Sequence, residues 1–182
     1  MIKKSVKSEN FEVVSGVPQG SHCASTLFNL LLNHSTNLFK SVIISFYADD
    51  AKLCLPIKNP NSCVVLQNET LDFIKWCSKI GLDINVNKCK VMSFSKSRNI
   101  VNFEYEIDGN NIERVYKFND LGVIFNSKLN FNDDCTFRVS KAKSMLGFVK
   151  RQTSELRDPE ILKSLYCSLV RSNVEYCSQV WS

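Results

Sequence analysis

The sequence predicts an α+β fold in which strands and hairpins precede residue 126 and helices alone follow it. Three observations lead there. Short apolar runs bounded by turn residues recur at 42–47, 51–55, 91–94 and 103–107, which is how strands read. Longer stretches at 21–39, 66–80 and 161–170 repeat their apolar residues at helical spacing. The 182 residues are 44% hydrophobic and include 12 Phe, 5 Tyr and 2 Trp, enough bulky apolar matter for a core. The chain therefore divides into a mixed part, 1–125, and a helical part, 126–182.

Residues 11–15 alternate as a strand does, and Gly16-Val17-Pro18-Gln19-Gly20 must then be irregular, since proline lacks an N–H and glycine permits turn dihedrals. Leu27, Phe28, Leu31, Leu32 and Leu38 mark the first helix, started by Ser21 or Ser25. Strands at 42–47 and 51–55 flank Ala48-Asp49-Asp50, which has room only for a tight hairpin turn. Asn59-Pro60 opens a helix with Leu66, Thr70, Phe73, Ile74, Cys77 and Ile80 on one face, and Gly81 closes it.

Strands follow at 91–94 and 103–107, the latter turning at Asp108-Gly109. Residues 115–118 and 121–125 read as a further hairpin. The next helix carries Asp133 and Asp134 at its front and Lys150 and Arg151 at its back, matching the helix dipole at both ends. Asp158-Pro159 starts another, with Ile161, Leu162, Leu165, Tyr166, Leu169 and Val170 on its apolar face.

Several function classes drop out. No run approaches the roughly 18 apolar residues of a membrane span. Lys3, Lys4 and Lys7 have no apolar stretch behind them, so no secretory signal is expected, and a nuclear or cytoplasmic location fits. The eight Cys are widely spaced, which points to free buried thiols rather than disulfides, and two His leave little for a zinc cluster. A net charge of +5 is spread over both halves. Its one concentration is residues 138–151, where Arg138, Lys141, Lys143, Lys150 and Arg151 are unopposed by any acid. Such a stripe suits a phosphate backbone, and equally a solvated helix face.

Asp49 and Asp50 carry the strongest chemical signal. Two adjacent carboxylates at a hairpin tip repel each other unless a cation or donor is near. Presented from a rigid apolar strand, they suit Mg²⁺ or Mn²⁺ and, with further ligands, two-metal phosphoryl transfer. Asp also favours turns on its own account, so a plain solvated turn is the competing reading. Gln19, held between Pro18 and Gly20, has an amide able to bond a nucleotide or phosphate, or it sits in a turn that merely feeds a helix. Lys88, among Asn85, Asn87 and Cys89, could neutralise a triphosphate or protonate a leaving group, and is otherwise a surface lysine.

In their order along the chain these segments resemble the reverse transcriptases, specifically the non-LTR retrotransposon (LINE-type) branch. Ser15-Gly16-Val17-Pro18-Gln19-Gly20-Ser21, continuing to Leu27-Phe28-Asn29, resembles motif B, with Cys23-Ala24-Ser25-Thr26 standing where the family has a Gly-Pro pair. Phe46-Tyr47-Ala48-Asp49-Asp50 resembles motif C. Residues 80–90, Ile80-Gly81-Leu82-Asp83 through Lys88-Cys89-Lys90, resemble motif D, and Leu121-Gly122-Val123 resembles motif E, the primer grip region. Residues 145–151 and 169–181 resemble the continuation into the thumb.

The resemblance implies a partial polymerase palm, a small antiparallel sheet with packed helices, followed by a helical thumb-like region. It implies RNA template, DNA primer and deoxynucleoside triphosphates as partners. Asp49 would bind metal directly and Asp50 would support it, while Lys88 would act at the leaving pyrophosphate. Gly16, Pro18, Gln19, Gly20 and Tyr47 would lie near template and nucleotide, Leu121 and Gly122 near the primer, and the basic residues of 138–151 along the nucleic-acid backbone.

The family places the fingers and motif A, with a further metal-binding aspartate, ahead of motif B. This chain reaches its motif B equivalent at residue 15, with Glu9 and Glu12 the only earlier acids, so a truncated palm with a weakly held metal is expected. Part of one helix face and one sheet edge would then lack a partner. Three readings compete: a reverse transcriptase fragment that becomes active once an amino-terminal palm and fingers segment is supplied, a non-catalytic nucleic-acid-binding remnant, and a transcribed remnant without a selected role.

Overall fold

Strand β1 (Ile43–Tyr47) and strand β2 (Asp50–Cys54) pair antiparallel from Ile43 opposite Cys54 to Tyr47 opposite Asp50. The computed structural model describes residues 16, 20–95 and 100–180, so the strand expected at 11–15, and Pro18 and Gln19, lie outside the described residues. The chain divides into two compact units between Ile84 and Asn85. The change of composition near residue 126 falls inside the second unit, where the last hairpin packs on a helix.

In the first unit, α1 (Ala24–Ser35) occupies the expected position, and the Ser21 hydroxyl accepts the Ala24 N–H at 3.2 Å. A 3₁₀ turn, Thr36–Leu38, leads to β1. Helix α2 (Pro60–Lys79) begins with Asn59, whose side chain accepts the Ser62 N–H at 3.0 Å. It ends where Gly81 takes φ +77°, and Leu82 N–H returns to the Cys77 carbonyl at 2.9 Å. That reversal satisfies carbonyls the last turn would leave open, and glycine adopts it without a Cβ clash.

Phe73 organises the core of this unit. Its ring meets Phe39 at 5.8 Å, Phe46 at 5.9 Å and Trp76 at 6.0 Å between centroids. Phe73, Ile74, Cys63 and Cys77 are buried with Val42 and Leu32. Strand alternation turns Phe46 toward this cluster and leaves Ile43 and Tyr47 exposed on the other face. On α1, Leu27, Leu30 and Leu31 are exposed.

The second unit contains shorter strands than expected. Strands β3 (Lys90–Val91) and β6 (Glu113–Arg114) pair in parallel, while β4 (Glu106–Ile107) and β5 (Asn110–Asn111) form a hairpin across Asp108 and Gly109. Residues 92–94 and 103–105 are not strand. Arg114 holds both segments instead, donating to the Ser93 hydroxyl at 2.5 Å and to the Phe103 carbonyl at 2.7 Å. A side chain thus occupies the Phe103 backbone carbonyl that a longer ladder would have used. The fold is α+β, but among the described residues the strands form four two-stranded sheets rather than one, three of them antiparallel.

The last hairpin joins β7 (Lys117–Asp120) to β8 (Val123–Asn126), and its turn is Leu121-Gly122. The expected strand starting at 121 is therefore displaced by two residues. A two-residue turn with positive φ at both centres matches the twist of the flanking strands, and here Leu121 is at +47° and Gly122 at +82°. Asn119 and Asp120 pair with Ile124 and Val123 in the ladder instead of turning.

Helix α3 (Asn132–Gln152) follows, then α4 (Pro159–Leu165), a π-helical segment Tyr166–Arg171 and α5 (Ser172–Glu175). The Asp158 carboxylate caps α4, accepting the Glu160 N–H at 2.9 Å. Ala142, Val149 and Val170 form the buried centre of this helical region, with Met145, Leu146, Leu165 and Leu169 packed around them.

The cysteines correct one expectation. Cys63 and Cys77 are buried, but Cys23, Cys54 and Cys167 are exposed, and all eight are free thiols. Cys23 precedes α1 and Cys54 ends β2, so each lies beside apolar neighbours in sequence without entering the core. Burial pushes the Cys77 thiol above its ordinary range, and the same desolvation raises Cys89, opposed by nearby Lys90.

Candidate active site

The β1–β2 hairpin closes with two residues, Ala48 and Asp49, because Tyr47 already pairs with Asp50. Asp50 is therefore the first residue of β2 rather than part of the turn. Ala48 has φ +51°, a left-handed conformation that costs a Cβ-bearing residue energy and that the surrounding pairing must enforce. The result is a sharp reversal after an apolar strand. Asp49 sits at the tip, and Asp50 shares a strand position with Tyr47; all three side chains are exposed.

The base of the hairpin is anchored more firmly than its tip. Glu69 on α2 accepts the N–H of Ser41 at 3.1 Å and of Val42 at 3.0 Å, and that of Lys40 at 3.3 Å. Three N–H groups at the entrance to β1 thus converge on one carboxylate. Phe46 against Phe73 adds the apolar contact halfway along. Sequence reasoning missed Glu69, since an acid within a helix carries no signal that it reaches back to a strand start.

Gly16 and Gly20 are exposed at φ +91° and +81°, with open space where a Cβ would be. Lys88 is exposed at the end of a 3₁₀ turn, Val86–Lys88, in the second unit. Among the described residues no three His, Cys, Asp or Glu side chains gather as a metal site. Asp49 and Asp50 supply oxygen donors of the kind a hard divalent cation takes. Two carboxylates alone fall short of a two-metal centre.

The basic stripe breaks up in three dimensions. Arg138 was expected on the nucleic-acid backbone, but its side chain is 7% exposed and bound inside the protein. Its Nε donates to Asp134 at 3.3 Å, and its Nη2 donates to the Gly122 carbonyl. Asp134, wholly buried, in turn accepts the Ile124 N–H at 3.0 Å. The charge of Arg138 is balanced by that partner, so its structural role replaces the surface role expected of it. Lys141, Lys143, Lys150 and Arg151 are exposed. Lys143 and Lys150, seven residues apart, share the outer face of α3, whereas Lys141 borders a cleft with Asn119, Gly122, Asn173 and Tyr176.

The chain is thus α+β, with a hairpin that exposes adjacent carboxylates and a helical region with surface lysines. Over residues 1–152 this chain matches the family described as reverse transcriptase (RNA-dependent DNA polymerase), and it belongs to that family. The family acts with divalent metal ions on template, primer and deoxynucleoside triphosphates. No curated protein and no solved structure gives a significant match. No helix among the described residues is long and apolar enough to cross a membrane.

Proposed function

We propose that this chain is part of the reverse transcriptase of a non-LTR, LINE-type retrotransposon, with residues 1–125 palm-derived and residues 126–182 thumb-like. The observation that carries the reading is the two-residue turn at Ala48 and Asp49, which projects adjacent carboxylates from an anchored apolar strand in a chain of this family. Asp49 would hold a magnesium or manganese ion, with Asp50 as the supporting carboxylate. When bound, such an ion lowers the proton affinity of an attacking hydroxyl and offsets charge on the transferring phosphate.

The chain's own residues do the rest. Glu69 and Phe73 keep the hairpin rigid, so the carboxylates meet a cation without reordering the backbone. Gly16, Pro18, Gln19 and Gly20, with Tyr47, would border template and nucleotide, and Lys88 would neutralise the departing pyrophosphate. Leu121 and Gly122 would face the primer. Lys141, Lys143, Lys150 and Arg151 would meet the phosphate backbone as the duplex passes the helices.

Because no third ligand joins the aspartates among the described residues, the 182 residues alone should bind duplex without extending it. The same observation favours the second reading, a non-catalytic nucleic-acid-binding protein in the nucleus or cytoplasm. The test is primer extension on an RNA template with Mg²⁺, paired with Mn²⁺ relaxation broadening of the hairpin resonances. Broadening around Asp49 that Asp49→Asn abolishes supports the metal reading; no broadening leaves only nucleic-acid binding. Extension by the 182 residues that Asp49→Asn removes overturns their inactivity.

A further inference from the structure

The Leu121-Gly122 turn is gripped from outside the hairpin by two side chains. Tyr176, which follows α5, donates its hydroxyl to the Leu121 carbonyl at 2.9 Å across 55 residues of sequence. Arg138 on α3 takes the next carbonyl, that of Gly122. The two side chains also support each other, with the guanidinium 4.4 Å above the Tyr176 ring. Asp134 completes the set by fixing Arg138 and accepting the Ile124 N–H.

Gly122 is shaped to this contact. A Cβ there would lie 3.2 Å from the Tyr176 hydroxyl oxygen and 3.4 Å from a ring carbon, in a backbone conformation that already favours glycine. A two-residue hairpin turn leaves its central carbonyls outside the ladder, where water ordinarily satisfies them. Here protein groups replace that water on both, so the turn has one position rather than many. The turn also walls the cleft that Lys141 borders, and its position sets the separation between that cation and the hairpin.

We propose that Tyr176, acting with Arg138, is the positioning residue of the Leu121-Gly122 turn, and that duplex affinity depends on this hold. Tyr176 lies 24 residues past the end of the matched family region at residue 152. The proposal rests on the reading that this turn faces a primer. It assigns Tyr176 no contact with nucleic acid.

Tyr176→Phe deletes one hydroxyl and keeps the ring under Arg138. By hydrogen–deuterium exchange, amides of residues 119–124 should exchange about fivefold faster in the variant, the loss of one hydrogen bond, with residues 106–111 unchanged. The affinity of the full chain for a labelled DNA primer on an RNA template should fall by about the same factor. Its salt dependence should keep its slope, because every cation that meets a phosphate is still in place, whereas Lys141→Ala should lower the slope by about one. Arg138→Lys, which keeps the charge and loses the fork, should loosen the same amides. Unchanged exchange at 119–124 in Tyr176→Phe overturns the hold itself. Faster exchange with unchanged duplex affinity overturns its link to binding. If the unmodified chain binds no duplex, the reading of the turn as primer-facing fails, and the dependence of affinity on the hold fails with it even where exchange shows the hold.

Discussion

Glu69 Oε2 accepts the N–H of Val42 at 3.0 Å, tying helix α2 to the residue just before β1, the strand that leads into the turn bearing Asp49. The same carboxylate accepts the Ser41 and Lys40 N–H groups. Glu69→Gln puts an amide NH₂ where an acceptor is needed, setting donor against donor. Unfolding in urea should show a loss of about 2 kcal/mol, in the range for hydrogen bonds to a charged group. Amide exchange at Ser41 and Val42 should rise with it, and equal exchange in both proteins would deny Glu69 this role.

Asp134 and Arg138 form the one ion pair that is buried on both sides among those described. Arg138→Ala leaves a wholly buried carboxylate with only the Ile124 N–H, so a loss of about 3 kcal/mol is expected in denaturant unfolding. Lys75→Ala, which removes an exposed pair with Asp72, should change stability by less than about 0.5 kcal/mol.

Duplex binding should divide the basic residues in the same way. Replacing both Lys143 and Lys150 by Ala should reduce the slope of log affinity against log salt by about two, one for each phosphate no longer neutralised. A slope untouched by both substitutions would mean that the outer face of α3 is merely solvated.

The thiols should react by position. Cys23, Cys54 and Cys167 are exposed and should be alkylated in the folded protein, while Cys63 and Cys77 should react only after unfolding. Burial raises the folded-state pKa of Cys77, so the unfolded chain loses that proton first as pH rises. Its contribution to stability is full below about pH 8.5, the ordinary thiol value, and falls as pH climbs past it. A melting temperature that rose between pH 8 and pH 10 would contradict this.

Leu30 is 62% exposed on α1, beside exposed Leu27 and Leu31. Leu30→Lys should leave stability within about 0.5 kcal/mol, since little burial is removed. Sedimentation should show less self-association than in the unmodified chain, because the apolar face is interrupted.

Local rules made much of this molecule legible. Asn59-Pro60 and Asp158-Pro159 place a capping side chain before a proline, and both open helices. Gly81 closes α2, and the brevity of Ala48-Asp49-Asp50 forces a hairpin. Each depends on neighbours within five residues. The hairpin at 117–126 was harder, because Asn119-Asp120 and Leu121-Gly122 both resemble turns by composition. The demand for positive φ at two consecutive positions settles it in favour of the pair containing glycine.

What the sequence by itself determined was the α+β class, the helix boundaries set by caps, the motif order and the presentation of Asp49 and Asp50 at a turn. Only the tertiary structure decided that Arg138 lies inside against Asp134, that Glu69 anchors β1, and that Tyr176 reaches Leu121. The physical reason is range. Propensity, capping and turn chemistry act between residues a few positions apart, whereas the fate of a charged or hydroxyl side chain depends on which distant backbone groups the packed chain leaves without a partner.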